Sequence, residues 1–224
     1  MKKSVILFVI VLLSFGCFLW AGTATATTIS LGPEVPLAES GGILDRLYGL
    51  SNLLRIDDDL DKIWFPASGT AMAQAKYAGY SQNFGYIPQN SGIFDSDDFV
   101  SLFTVTSNGP LFGSPTASLS SGNVNFLWAL NPSGAPLWTS LPTQNSDNSD
   151  HMVTWLITGS VGKSNTIGNY VIAWEDLYDG GDHDFNDLVV EASFNPAPVP
   201  EPTTLLLLGS GLVGIGAFRR KFKK

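Results

Sequence analysis

From Asp57 onward the apolar residues of this chain fall in short runs, with Gly, Pro, Asn and Ser between one run and the next. That punctuation limits the fold more than any other feature. Runs of four to eight residues rich in Val, Ile, Phe, Tyr and Trp have the length and composition of strands and are too short for buried helices. Eight strands are predicted, at 62–65, 70–77, 84–87, 99–106, 124–130, 152–158, 170–174 and 188–194. Upstream, Ile43, Leu47, Leu50 and Leu54 recur at the spacing of one helix face, with Leu44 and Tyr48 beside them and Gly49 interrupting. The expectation is a mainly all-β chain: an antiparallel β-sandwich or jelly-roll-like domain with one short N-terminal helix. No internal period is visible, which excludes solenoids and propellers.

Charge separates the body of the chain from its ends. Charged residues are 14% of the whole, against about 25% in an average soluble domain. Between residues 27 and 200, five basic residues face nineteen acidic ones, while the remaining basic residues sit at the two termini. A body that acidic repels phosphate backbones, so nucleic acid is excluded as a partner.

The ends read as addresses. Met1-Lys2-Lys3 followed by an uncharged stretch from Ser4 to Trp20, with Ala24-Thr25-Ala26 beyond it, has the layout of a secretory signal peptide cleaved after Ala26. An uncleaved N-terminal anchor is the alternative. Cys17 raises a lipoprotein reading, but the residues before it lack the expected Leu. Cleavage after Ala26 removes this single cysteine and leaves no thiol for a disulfide or a metal site. At the other end, Val199-Pro200-Glu201-Pro202 precedes an uncharged segment from Thr203 to Phe218 and the basic tail Arg219-Arg220-Lys221-Phe222-Lys223-Lys224. Sixteen helical residues would span roughly 24 Å, short of the ~30 Å hydrocarbon core. Four glycines thin the segment further, so a transient transmembrane helix fits better than a permanent one. The Pro-Glu-Pro motif, the glycine-rich apolar run and the basic end resemble the PEP-CTERM sorting signal of Gram-negative bacteria. That resemblance implies an exosortase as processing partner, transient residence in the inner membrane, and delivery to the cell surface or exterior. A plain C-terminal membrane anchor is the alternative.

One stretch carries chemistry. Between the predicted strands at 170–174 and 188–194 lie six carboxylates in thirteen residues: Glu175, Asp176, Asp179, Asp182, Asp184 and Asp187. Gly180-Gly181 gives the backbone freedom to turn back on itself. Like charges ~4 Å apart repel by about 1 kcal/mol in water and about 4 kcal/mol at an effective dielectric of 20. Crowding several in one turn is costly unless a cation sits among them. Hard oxygen ligands without thiols suit Ca²⁺. Asp182-x-Asp184-x-Asn186 reproduces the 1, 3, 5 spacing that opens an EF-hand loop, but Asp187 stands where that loop needs Gly and no Glu follows at its end. The predicted ligand set is therefore Glu175, Asp176, Asp182, Asp184, Asn186 and Asp187 in a β setting. The plain alternative is a solvated acidic turn capped by its own Asx side chains.

Glu175-Asp176, Gly180-Gly181, Asp182, Asp184-Phe185-Asn186-Asp187 and Leu188-Val189-Val190 resemble a β-rich domain of unknown function that accompanies PEP-CTERM signals. Ala78-Gly79-Tyr80, Asn83-Phe84-Gly85-Tyr86 and Asp150-His151-Met152 extend the resemblance over residues 60–194. It implies an extracytoplasmic β-domain with bound calcium and transfers no enzyme activity.

Other chemistry has little support. His151 and His183, each preceded by Asp, read as surface hydrogen-bonding residues rather than zinc ligands. Neither a nucleophile elbow nor a Walker loop is present. Carboxylates in one flexible turn are poorly placed for glycosidase work, which needs two facing each other across a substrate. The expected organisation is a signal peptide (1–26), an extension with a short helix (27–60), a β-sandwich with an acidic metal loop (61–195) and a sorting signal (196–224). The expected function is that of a non-enzymatic, calcium-binding component of the envelope or extracellular matrix, structural or adhesive. An exopolysaccharide-binding module is the second reading, and a glycan hydrolase the third.

Overall fold

The computed structural model describes residues 36–65 and 67–196. The predicted signal peptide and sorting segment lie outside them, and no helix among the described residues is long and apolar enough to cross a membrane.

In chain order the strands are β1 (Leu53–Arg55), β2 (Ala67–Lys76), β3 (Gln82–Asn90), β4 (Ile93–Phe94), β5 (Val100–Val105), β6 (Gly109–Pro110), β7 (Thr116–Ser120), β8 (Phe126–Pro132), β9 (Trp138–Thr139), β10 (Met152–Ile157), β11 (Tyr170–Trp174) and β12 (Leu188–Pro196). They form two antiparallel sheets. One runs β1-β10-β11-β12-β2-β6, with β7 also paired to β2; the other runs β4-β3-β8-β9, with β5 also paired to β3.

Strict alternation of side chains across these strands builds the layers. On β8, Phe126, Trp128 and Leu130 enter the core between the sheets, while Leu127 and Ala129 face a smaller cluster on the other side. On β11, Ile172 and Trp174 point into the shared core, and Val171 and Ala173 point outward. That outward face is itself covered. Leu37, Ile43, Leu44 and Tyr48 pack on it with Trp155, Val189 and Phe185. Strands buried on both faces read as near-continuous apolar runs, which is why β10, β11 and the Leu188-Val189-Val190 start of β12 stand out in the sequence. Trp128, Trp138, Trp174, Phe84 and Phe126 are fully buried.

Two local expectations are corrected. The helix α1 covers only Ile43–Leu47. Gly49 takes φ 75°, a 3₁₀ turn follows at Leu50–Asn52, and the chain then becomes β1. Leu54 is exposed on that strand and shares no face with Ile43. A residue with positive φ ends a helix whatever the apolar spacing beyond it. The run at 62–65 also forms no strand: Trp64 makes one antiparallel bridge, to Phe126.

Candidate metal centre

The acidic loop joins β11 to β12. Trp174 and Leu188 are paired across the two strands, and the Asp187 N–H donates to the Trp174 carbonyl at 3.1 Å, closing the base of the loop. Both strands are central in their sheet, so the loop leaves from a rigid platform.

Within it the backbone departs from ordinary conformations. Asp179, Gly180, Gly181, His183 and Phe185 all have φ between 50° and 75°. Gly181 cannot be replaced without strain, because a Cβ there would collide with Glu175 Oε1 and lie 2.8 Å from Leu177 Cβ. The loop curls back over the carboxylate that starts it. Phe185 is fully buried in the outer cluster and pins the returning limb.

The six predicted ligands come together. Glu175, Asp176, Asp184, Asn186 and Asp187 are buried, and Asp182 is exposed. Carboxylate oxygens of Glu175, Asp182 and Asp184 lie within 4.8 Å of one another, as do those of Glu175, Asp176 and Asp187. Asp179 is exposed and belongs to neither group. Asp184 N–H donates to Asp182 Oδ1 at 3.4 Å, and Asn186 N–H donates to Asp184 Oδ1 at 3.1 Å. The 1, 3, 5 spacing thus appears as successive Asx turns, and the Asn186 amide donates to Asp184 as well. Asp187 Oδ2 accepts from the Asp176 N–H at 2.7 Å, and Glu175 Oε1 accepts from the Leu177 N–H at 3.3 Å. Glu175 Oε2 is buried with no hydrogen-bond donor.

Electrostatics follows from this crowding. Burial raises the Glu175 carboxyl far above the usual carboxylate range, and the Asp187 carboxylate adds to it. Burial likewise raises Asp187, with Asp176 next to it, and raises Asp176 despite the Gln82 amide that donates to it. Such a group demands either protons or a cation.

The sequence pattern missed the supports that come from elsewhere in the chain. Gln82, at the start of β3 in the opposite sheet, donates to Asp176 Oδ2, and its own Oε1 is buried without a partner. Trp138 Nε1 on β9 donates to the Asp176 carbonyl at 2.8 Å. Lys76, buried at the end of β2, donates to the Ala78 carbonyl at 2.8 Å and to Asn108 Oδ1 at 2.6 Å. Burial lowers its ammonium, and the nearby Asp176 and Asp187 carboxylates oppose that shift. His151 is a correction: it is fully buried rather than at the surface. Its ring stacks on Trp138 at 3.7 Å between centroids and bridges the Glu175 carbonyl (3.0 Å) and Asp147 (2.9 Å). Asp147 also accepts from the Asp179 N–H at 2.8 Å, tying the loop to the segment before β10. His183 stays exposed.

A separate acidic run, Asp57, Asp58, Asp59 and Asp61, is arranged differently. Asp58 pairs with Arg55 and Asp59 with Lys62, while Asp57 Oδ1 accepts from the Asp59 N–H at 3.0 Å. Asp58 and Asp61 are buried, and Asp150 lies near both.

Residues 102–195 match a family described as a domain of unknown function (DUF4114), and residues 198–221 match the PEP-CTERM protein-sorting motif. The first match starts within β5, later than the expected 60–194, and contains the whole acidic loop. A sorting motif of this kind marks an exported protein with a cleavable, membrane-associated tail that an exosortase processes. No curated protein matches the chain. Among solved structures, the Chromobacterium violaceum lectin CV2L in complex with alpha-methyl-fucoside overlays with a TM-score of 0.33 at 14% identity, over 65% of this chain and 96% of the lectin. An overlay that slight bears on neither fold nor ligand.

Proposed function

We propose that the protein is a non-enzymatic component of the cell envelope or extracellular matrix, structural or adhesive, whose β-sandwich is locked by Ca²⁺ in the 175–187 loop. The observation that carries this reading is the convergence of buried carboxylates on Glu175, whose Oε2 has no donor. Three oxygens within 4.8 Å of one another leave a point no more than about 2.8 Å from each, so small adjustments bring all three to the ~2.4 Å typical of calcium. A cation supplies the compensation that the loop's own N–H groups leave incomplete. The anchorage of the loop supports a stabilising role: Asp176 is held from the opposite sheet by Gln82 and Trp138, so an ion there would fasten the two layers at one end. Export agrees with calcium of the low affinity usual outside cells, with Kd about 10⁻⁴–10⁻³ M.

Thermal unfolding in EDTA and in about 10 mM CaCl₂ tests this. Mass action at that excess gives about 1.4–2.7 kcal/mol, or a rise in Tm of roughly 3–10 °C for a domain of this size. Asp184→Ala should remove most of the rise and Asp57→Ala almost none. Mg²⁺ should substitute poorly, since it demands small octahedral sites and sheds water reluctantly. Equal Tm values in EDTA and calcium, or equal responses from the two variants, would return the loop to a solvated acidic turn.

A further inference from the structure

The carboxylates form two groups and not one. Glu175, Asp182 and Asp184 make the first, Glu175, Asp176 and Asp187 the second, and the two share only Glu175. The groups differ in setting. The second is wholly buried, and Gln82 from the opposite sheet reaches it through Asp176. The first includes the exposed Asp182 and opens to solvent. Two buried oxygens without hydrogen-bond donors belong to this region: Glu175 Oε2, on the shared residue, and Gln82 Oε1, on the side chain that holds Asp176.

Resting on the calcium reading above, we infer that the loop is a two-cation centre, with Glu175 bridging an inner ion held by Asp176 and Asp187 and an outer ion held by Asp182 and Asp184. The shape of the sites agrees. An ion at ~2.4 Å from each ligand is served by oxygens no more than ~4.8 Å apart, and each group meets that limit separately. A bidentate or bridging carboxylate is ordinary calcium chemistry, and it gives Glu175 Oε2 the partner that no N–H provides. Charge agrees too. Five carboxylates face one buried ammonium, Lys76, which lies close enough to Asp176 and Asp187 to act on both. A single divalent ion leaves the cluster strongly negative in a buried setting, whereas two bring it to neutrality with Lys76.

Stoichiometry decides the matter. Equilibrium dialysis of the full chain against ⁴⁵Ca²⁺ should saturate at two ions per chain. Asp182→Asn, at an exposed position where folding is not at risk, should reduce this to one, and Asp187→Asn should also leave one. Terbium luminescence on the unaltered chain gives a readout that needs no variant. Lifetimes in H₂O and D₂O should resolve a shielded ion with few bound waters and an open one with more. Saturation at one ion, a single lifetime, and loss of all binding in Asp182→Asn would overturn the two-ion centre while leaving the calcium reading intact. No saturable binding at millimolar calcium would overturn both.

Discussion

Gly181 is the residue through which backbone and chemistry are most tightly joined. Its φ of 50° and the collision its Cβ would make with Glu175 Oε1 mean that even alanine must distort the turn or displace the shared carboxylate. Gly181→Ala should cost about 1–3 kcal/mol in chemical unfolding and should also blunt the calcium response, because strain at such positions is held by the surrounding structure. Gly122→Ala is the control: it too has positive φ (66°), but no atoms crowd its Cβ, so it should leave the calcium response alone. Asp61 carries a different prediction. Burial first, then the Asp150 and Asp58 carboxylates, push its carboxyl up to about 8, with the facing Thr154 hydroxyl and Arg55 offsetting part of the effect. An unfolded Asp titrates near 3.8, so between these values the folded chain binds the extra proton. Stability therefore falls as pH rises from about 4 towards 8 and levels off above. Asp61→Asn should be near neutral at pH 4 and stabilising by on the order of a few kcal/mol at pH 8, read from urea unfolding at both. Parallel pH profiles for the two proteins would show that Asp61 is not the group responsible.

Among the elements, legibility in the sequence tracks burial on both faces. β11 and the start of β12 (Leu188, Val189 and Val190) are continuous apolar runs because the sandwich core takes one face and the α1 layer the other, and the predicted 170–174 coincides with β11. β7 reads Thr-Ala-Ser-Leu-Ser and pairs with β2 alone; its alternation rests on Ala117 and Leu119 only, too short and too weakly apolar to stand out. β9 is two residues long. The helix failed for a local reason, Gly49, although its leading residues are correctly placed in a core. Leu44 is fully buried and Leu47 half-buried. Leu44→Ala should cost about 2–5 kcal/mol and Leu47→Ala markedly less, measured by urea denaturation. At the candidate site, the acidic spacing was visible because it is local, spanning thirteen residues. Gln82 and Trp138 were not, since they reach Asp176 across 94 and 38 residues of chain and carry no motif of their own.

At the scale of the whole molecule, the sandwich and the sorting signal are separable. β12 ends at Pro196, and the matched sorting motif begins at residue 198. β12 is not an edge but lies between β11 and β2, and Phe194 packs against the shared core. The last strand before the tail is thus one the first sheet cannot form without, and every described strand ends by Pro196. A chain ending at residue 197 keeps every described strand and should melt within about 1 °C of the full chain with the same calcium response. A chain ending at residue 187, which deletes β12 and parts β11 from β2, should not fold cooperatively. The same separation bears on export. The acidic body, with five basic residues against nineteen acidic ones, lies between termini that carry all the other basic residues, and basic segments stay on the cytoplasmic side. Mass spectrometry of the extracellular protein should find a new N-terminus near Thr27 and no residues beyond the Pro-Glu-Pro motif. A chain recovered outside the cell with Lys224 still in place would mean that the motif is not processed, and that the basic tail crosses the membrane with the rest.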